Sequence, residues 1–298
     1  MKNIITHLLI SLMKEDQELE KVLKNIAGEH SIKLTQWEAI GGGDICEVFL
    51  ITGSKNEKFI LKLLDSSGIP RLFSTEMTGL KALKKTGCID IPAPIAVGDL
   101  GNNSYLLLEH KAEGKAAGDF WEKFGEQLAC LHRNTHSDFG FSEDNYIGSL
   151  PQQNKWTGEA PDFYITQRLQ PQLELAQKYD LGISEDFLEN IAENIPDEPP
   201  SLIHGDLWNG NFLINAEGAP CLFDPAVAYA PREMDLAMMK LFGGFDRKLF
   251  EVYNEHFPLE RGFEERVPLW QLYFLLVHLN IFGKGYRNQV VNIIKKYN

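Results

Sequence analysis

The chain predicts an α+β protein in two lobes. A small, mostly antiparallel β N-lobe with one inserted helix spans 1–109, and a larger, mainly helical C-lobe spans 110–298. Three observations carry this reading. Residues 40–64 run strand, three-glycine turn, strand, short turn, strand. From Gly118 onward apolar residues recur at helical spacing, beginning with Phe120, Trp121, Phe124, Leu128 and Leu131. A short hairpin pattern at 211–223 then interrupts the helices, framed by His204-Gly205-Asp206 before it and Asp224-Pro225 after it. With 298 residues and 44% apolar content, the chain is long enough for two lobes and a sizeable core.

The N-terminal apolar run is broken by His7 and Ser11, and no small-residue cleavage site follows. Leu12, Leu19, Val22, Leu23 and Ile26 continue it at helical spacing. An amphipathic helix ending near Gly28 is expected, not a targeting segment. The glycines Gly41, Gly42 and Gly43 join the first two strands, and 59–64 forms a third strand carrying Lys62. A helix over 73–83 places Glu76 in its first turns. A proline-stiffened stretch at 91–98 leads to a strand, and 105–109 is another strand ending at Glu109. Glu109-His110-Lys111-Ala112-Glu113-Gly114 reads as the hinge between lobes. Residues 145–156 read as a polar loop lining the substrate side. A helix over 163–175 contains Pro171, which either kinks it or starts a second segment. Residues 269–282, rich in Leu and aromatics, form a buried helix.

The net charge of −13 argues against nucleic acid as a partner, because phosphate binding wants a basic surface. An acidic surface tolerates cationic substrates, and equally serves solubility. No run is long and apolar enough to span a membrane. The cysteines Cys46, Cys88, Cys130 and Cys221 form no CxxC, and their spacing indicates neither a zinc site nor a disulfide framework. Reduced thiols in a cytoplasmic protein are therefore expected. His132 and His136 lie four apart without a third ligand and read as structural.

The chemistry concentrates at Leu202-Ile203-His204-Gly205-Asp206-Leu207-Trp208-Asn209-Gly210-Asn211. Asp, four residues, Asn, a tight hairpin and a second Asp is the layout of kinase-type phosphoryl transfer. Asp206 would orient and deprotonate the attacking hydroxyl, and Asn211 and Asp224 would hold Mg2+. A chain that reverses and returns through a hairpin can bring all three groups together. The glycines would let backbone N–H groups approach the ATP phosphates. Lys62, partnered by Glu76, would place a cation on them. The backbone of Glu109, His110 and Lys111 would meet the adenine edge.

Gly-Gly-Gly-Asp-Ile at 41–45, the His-Gly-Asp-Leu-Trp-Asn-Gly-Asn string at 204–211, Phe-Asp-Pro-Ala-Val at 223–227 and Arg-Glu-Met-Asp-Leu-Ala-Met at 232–238 together resemble the fructosamine kinase (ketosamine 3-kinase) family. Residues 168–176 and 271–283 are similar to further family segments. The His-Gly-Asp, Asn and Asp-Pro pieces also occur in aminoglycoside and choline kinases, while Trp208 and the 232–238 string narrow the resemblance. It implies a protein-kinase-like two-lobed fold and ATP-dependent, Mg2+-assisted phosphorylation of the 3-hydroxyl of a ketosamine, either a small molecule or protein-bound. It also implies that the product breaks down, which makes the role deglycation repair. Trp208 is implied as a substrate wall. Two departures stand out: Asp44 puts an anion at the tip of the presumed phosphate loop, and 226–231 is less polar than an acceptor pocket wants. The alternatives are a kinase for another amine-bearing alcohol, such as an aminoglycoside or choline, and a nucleotide-binding pseudokinase. Nothing in the sequence sets the oligomeric state.

Overall fold

The computed structural model describes residues 17–42, 45–65 and 68–298, in two compact units. Gly43, Asp44 and the part of the expected N-terminal helix within residues 1–16 lie outside the described residues.

The first unit comprises residues up to Phe73 together with Pro94–His110. Residues 17–29 form helix α1. Strands β1 (Leu34–Gly42), β2 (Glu47–Gly53), β3 (Lys58–Asp65), β4 (Pro94–Leu100) and β5 (Asn103–Glu109) form one antiparallel sheet of order β1-β2-β3-β5-β4. Side chains alternate between the faces of a strand. Phe49, Ile51, Leu61, Leu63, Tyr105 and Leu107 therefore share a core with Leu23, Ile26 and Ala27 of α1. Full burial of Leu23 or Ile26 contributes roughly 1.5–3 kcal/mol each. The same alternation turns Lys62, flanked by Leu61 and Leu63, to the opposite face, where it is also buried. A register shift between Ala39 and Gly41 bends β1 just before the glycine turn.

The second unit comprises Ser74–Ala93 and Lys111–Asn298. Helix α2 (Leu72–Lys85), expected within the N-lobe, makes its contacts here from Ser74 onward. A β-carbon on Gly79 would lie 3.1 Å from Val227, and Lys84 Nζ donates to the Ile91 carbonyl. Helix α3 (Phe120–His132) crosses α8 (Arg247–His256) closely, because Gly125 leaves room for the Leu249 carbonyl. Between them in sequence come the hairpin β6 (Asn145–Ile147) and β7 (Leu150–Gln152), then helices α4 (Ala160–Phe163), α5 (Gln170–Leu175) and α6 (Phe187–Glu193). A π-helical turn, Tyr164–Leu169, joins α4 to α5, and Pro171 opens the second α segment instead of kinking the first. Strand β8 (Ser201–Ile203) pairs with β11 (Ala228–Ala230), and β9 (Phe212–Ile214) with β10 (Pro220–Leu222). Helices α7 (Glu233–Phe242), α9 (Phe263–Phe282) and α10 (Arg287–Tyr297) complete the unit. Helix α9 is apolar on most of its circumference, as a buried helix must be. No described helix is long and apolar enough to cross a membrane.

Two expectations need correction. Cys88 and Cys130 are disulfide-bonded, with Cα atoms 5.6 Å apart, while Cys46 and Cys221 take no part in a disulfide. Their separation of 42 residues carried no signal; the pair meets because α3 runs past the end of α2. Residues 145–156 are not simply a polar loop, since Asn145, Gln152 and Asn154 are buried and hydrogen-bonded.

Cys88→Ser is expected to lower the unfolding free energy by up to about 4 kcal/mol, the loop-closure value for this separation. Urea melts would show it, and reductant should bring the wild type onto the variant's curve.

Candidate active site

Strand β8 delivers the chain into His204-Gly205-Asp206, and a single carboxylate receives it. Asp235, fully buried in the first turn of α7, accepts from the His204 amide at 2.7 Å and the Gly205 amide at 2.8 Å. The same carboxylate accepts from His132 Nε2 at 3.2 Å, and His132 Nδ1 lies 2.8 Å from the Tyr253 hydroxyl. Gly205 adopts φ 84°, and a β-carbon there would lie 2.0 Å from the Ala226 carbonyl oxygen, so only glycine fits. The Ala226 amide donates to the His204 carbonyl.

His204 links the two ends of the hairpin. Its Nε2–H donates to the Phe223 carbonyl at 2.9 Å, which fixes the neutral tautomer and leaves Nδ1 to accept from the Asp206 amide at 3.3 Å. Burial pushes its pKa below the usual value, so it stays uncharged. One ring thereby sets the backbone of Asp206 against the residue preceding Asp224. Asp224 itself takes φ 56°, a left-handed conformation that Asp tolerates better than most residues.

Asn211 closes the constellation. Its Nδ2 donates to the Asp206 carbonyl at 2.8 Å and to Asp206 Oδ2 at 3.1 Å, while its backbone carbonyl accepts from Phe223. Asn215 folds the hairpin turn by accepting from the amides of Glu217 and Ala219. Asp206 keeps part of its surface accessible, yet burial raises its pKa to about 7. The Asn211 hydrogen bond opposes the shift, and the charges of Asp224 and Asp235 add to it. This uncompensated negative charge is what a divalent cation relieves. The Asn211 side-chain carbonyl and the Asp224 carboxylate are hard oxygen donors suited to Mg2+, which takes few protein ligands and completes its shell from phosphate and water. Among the described residues no group of three or more His, Cys, Asp or Glu side chains forms a metal cage.

The polar residues of 145–156 form a support beneath the loop. Gln152 Nε2 donates to the Ala226 carbonyl and to Asn145 Oδ1, Asn145 Nδ2 donates to the Val227 carbonyl, and Tyr273 donates to Gln152 Oε1. Arg168 reaches the same network through Asn154 Oδ1, with its guanidinium 4.4 Å over the Phe163 ring. Residues 226–231 are apolar because most of them are buried: β11 pairs with β8, and the carbonyls of Ala226 and Val227 just before it accept from these side-chain amides.

Trp208, in the turn between Asp206 and Asn211, is 38% exposed. In the first unit, Gly41 has φ 139° at the end of β1, Gly42 is the last residue of that strand, Lys62 is buried in the central strand β3, and Glu109 and His110 end the unit. In the second unit, Glu76 is half-buried on α2, and Lys111 Nζ pairs with Asp90 at 2.9 Å. Asp90 also accepts from Asn215 of the hairpin turn, and its pKa is lowered by the Asn215 and Lys111 contacts against an opposing burial effect. Sequence reasoning missed Asp235, His132 and the Asn145–Gln152 pair as loop supports. The sequence signal for Asp235 is its place in the 232–238 string.

The sequence model of the fructosamine kinase family matches residues 15–298. The chain belongs to the fructosamine kinase family. A Synechocystis protein described as a probable ketoamine kinase is 35% identical over 269 residues, covering 89% of this chain and 90% of its own. The mouse ketosamine-3-kinase is 34% identical over 311 residues, covering 93% and 99%. A crystal structure of a Haemophilus somnus protein assigned as a fructosamine-3-kinase superposes with a TM-score of 0.82 at 26% identity, over 91% of this chain and 94% of that one. The fructosamine kinase fold of this chain is thus the α+β, kinase-like one.

Two outcomes follow from the loop geometry. Gly205→Ala is expected to abolish turnover and lower Tm, since the added carbon collides with backbone. Asp206 has a folded pKa of about 7 against an ordinary 3.8, so its protonated form favours the folded state. That contribution is present below the ordinary value and is lost as pH rises through about 7. Asp206→Asn should therefore gain Tm over the wild type at pH 8 and little or nothing at pH 4, as read by calorimetry.

Proposed function

We propose that the protein transfers the γ-phosphoryl group of ATP to the 3-hydroxyl of a ketosamine. The single observation that carries this reading is the Asp206 carboxylate, hydrogen-bonded by Asn211 and raised to a pKa of about 7 beside Asp224, in a chain of this family. A base with a pKa near the working pH combines an ionised form with real proton affinity. Asp206 orients the sugar hydroxyl and takes its proton as the bond to phosphorus forms. Asn211 holds Asp206 in place from the hairpin, and His204 keeps the Asp206 backbone fixed against Phe223. Asn211 and Asp224 would hold Mg2+, which when bound neutralises charge on the transferred phosphoryl group. The exposed face of Trp208 offers a platform for the apolar C–H face of a sugar. The roles of Gly41, Gly42, Gly43 and Lys62 with Glu76 at the ATP phosphates, and of Glu109, His110 and Lys111 at the adenine, belong to the same proposal and rest on the sequence.

A phosphate on O3 stands next to the C2 carbonyl. Enolisation toward C1 turns it into an allylic leaving group, and its loss releases the amine on hydrolysis. The proposed role is therefore deglycation of amines in the cytoplasm, where ATP is available.

Asp206→Asn is expected to cut phosphate transfer to a fructosyl amine by roughly 10²–10⁴-fold while ATP still shifts its melting temperature. Turnover within about two-fold of wild type would contradict the base assignment. An ATP-consumption screen of fructosyl, ribulosyl and erythrulosyl amines against aminoglycosides and choline tests the acceptor class. Turnover confined to the latter pair would overturn the ketosamine reading, and nucleotide binding without turnover of any acceptor would make the protein a pseudokinase.

A further inference from the structure

Beyond Trp208 the second unit carries a continuous strip of aromatic rings, exposed at Phe242 and Phe282 and half-buried at His278 and Tyr286, that the phosphoryl-transfer machinery does not use. The Trp208 ring lies 6.4 Å from Phe242 at the end of α7, and Phe242 lies 4.9 Å from His278 on α9. His278 lies 5.5 Å from Phe282 and 5.1 Å from Tyr286, and those two rings are 6.3 Å apart. Phe242 is 39% exposed and Phe282 53%. Scattered apolar residues on a surface are ordinary, but a contiguous file of rings marks a binding surface.

The rings of the strip themselves carry no charge, and glycines set the helix ends that bear them. Phe242 and Phe282 end their helices against Gly243 and Gly283, whose positive φ values turn the chain away. Gly244 packs against Asn209, the residue after Trp208, which ties the end of α7 to the catalytic turn. His278 Nδ1–H donates to the Phe274 carbonyl at 2.7 Å, and burial holds its pKa below the usual value, so the ring is neutral. The strip's uncharged rings suit apolar groups.

Its position also fixes its occupant. Trp208 stands two residues beyond Asp206, with its amide hydrogen-bonded to the Asp206 carbonyl. With a ketosamine oriented by its 3-hydroxyl on Asp206 and its sugar on Trp208, the amine nitrogen on C1 is separated from the reacting oxygen by three carbons, C3, C2 and C1. The substituent on that nitrogen must leave the sugar somewhere, and the strip begins where the sugar platform ends.

We propose that Phe242, His278, Phe282 and Tyr286 bind the amine-derived substituent of the ketosamine and select adducts whose amine carries an uncharged alkyl or aryl stem. The proposal rests on the ketosamine reading above. These residues set specificity and take no part in the chemical step, so their contribution falls mainly on KM.

The test uses fructosyl adducts of methylamine, n-hexylamine and glycine with the full chain. The hexylamine adduct should exceed the methylamine adduct in kcat/KM by about ten-fold, through KM, as expected for partial cover of five further methylenes. The glycine adduct, with a carboxylate beside the amine, should gain nothing over methylamine. Phe282→Ala and Tyr286→Ala should each shrink the hexylamine-to-methylamine ratio by about three-fold or more, and Phe282→Trp should retain it. A ratio near one in the wild type, or one unchanged in both alanine variants, overturns the proposal while turnover of the methylamine adduct leaves the ketosamine reading standing. Failure to phosphorylate any of the three adducts overturns both.

Discussion

A fully buried carboxylate, Asp235, holds the catalytic loop to the helical unit, and the site depends on it. It accepts from two consecutive backbone amides and from one imidazole, three donors for a group that would otherwise be a bare charge in the core. Hydrogen bonds to a charged acceptor contribute about 1.5–3 kcal/mol each, and stranding such a charge costs more. Its place in the first turn of α7 adds the favourable field of a helix N-terminus. The chain entering at His204 is therefore pinned before it turns, and Gly205 can then take a conformation no other residue fits.

From that fixed point the geometry passes outward through neutral contacts. His204 spans from the Asp206 amide to the Phe223 carbonyl, Asn211 spans from the hairpin back to Asp206, and the inward-facing amides of Asn145 and Gln152 hold β11 from below. Few charges balance one another at the centre. Burial raises the pKa of Asp206, and the charges of Asp224 and Asp235 add to the shift. Such a site trades stability for function: the carboxylate that must accept a proton is kept where ionisation is unfavourable. A cation held by Asn211 and Asp224 would answer the same imbalance.

Much of this was legible in the sequence because it is local. Apolar runs between turn residues located the strands around Lys62, helical spacing located α3, richness in Leu and aromatics located α9, and the Asp206–Asn211 spacing with its hairpin marked the turn on which the proposed reacting groups sit. What escaped was non-local or buried. The Cys88–Cys130 bond joins residues whose separation says nothing of proximity. The amides within 145–156 read as a loop because polar residues ordinarily face water, and only a partner such as the Val227 carbonyl explains their burial. The role of Asp235 was invisible for the same reason: its donors lie thirty-odd residues upstream in sequence. The grouping of α2 with the helical unit likewise follows from contacts at Gly79 that no periodicity announces.

The central claim is that Asp235 fixes the loop locally, beyond its share in overall stability. Amide hydrogen exchange at His204 and Gly205 in the wild type and in Asp235→Asn measures this directly. In the variant one amide faces a side-chain donor in place of an acceptor. The account predicts that these two amides exchange roughly ten- to a hundred-fold faster in the variant, while those of Phe49 and Leu61 in the five-stranded sheet keep their protection. Equal protection of His204 and Gly205 in both proteins would contradict it.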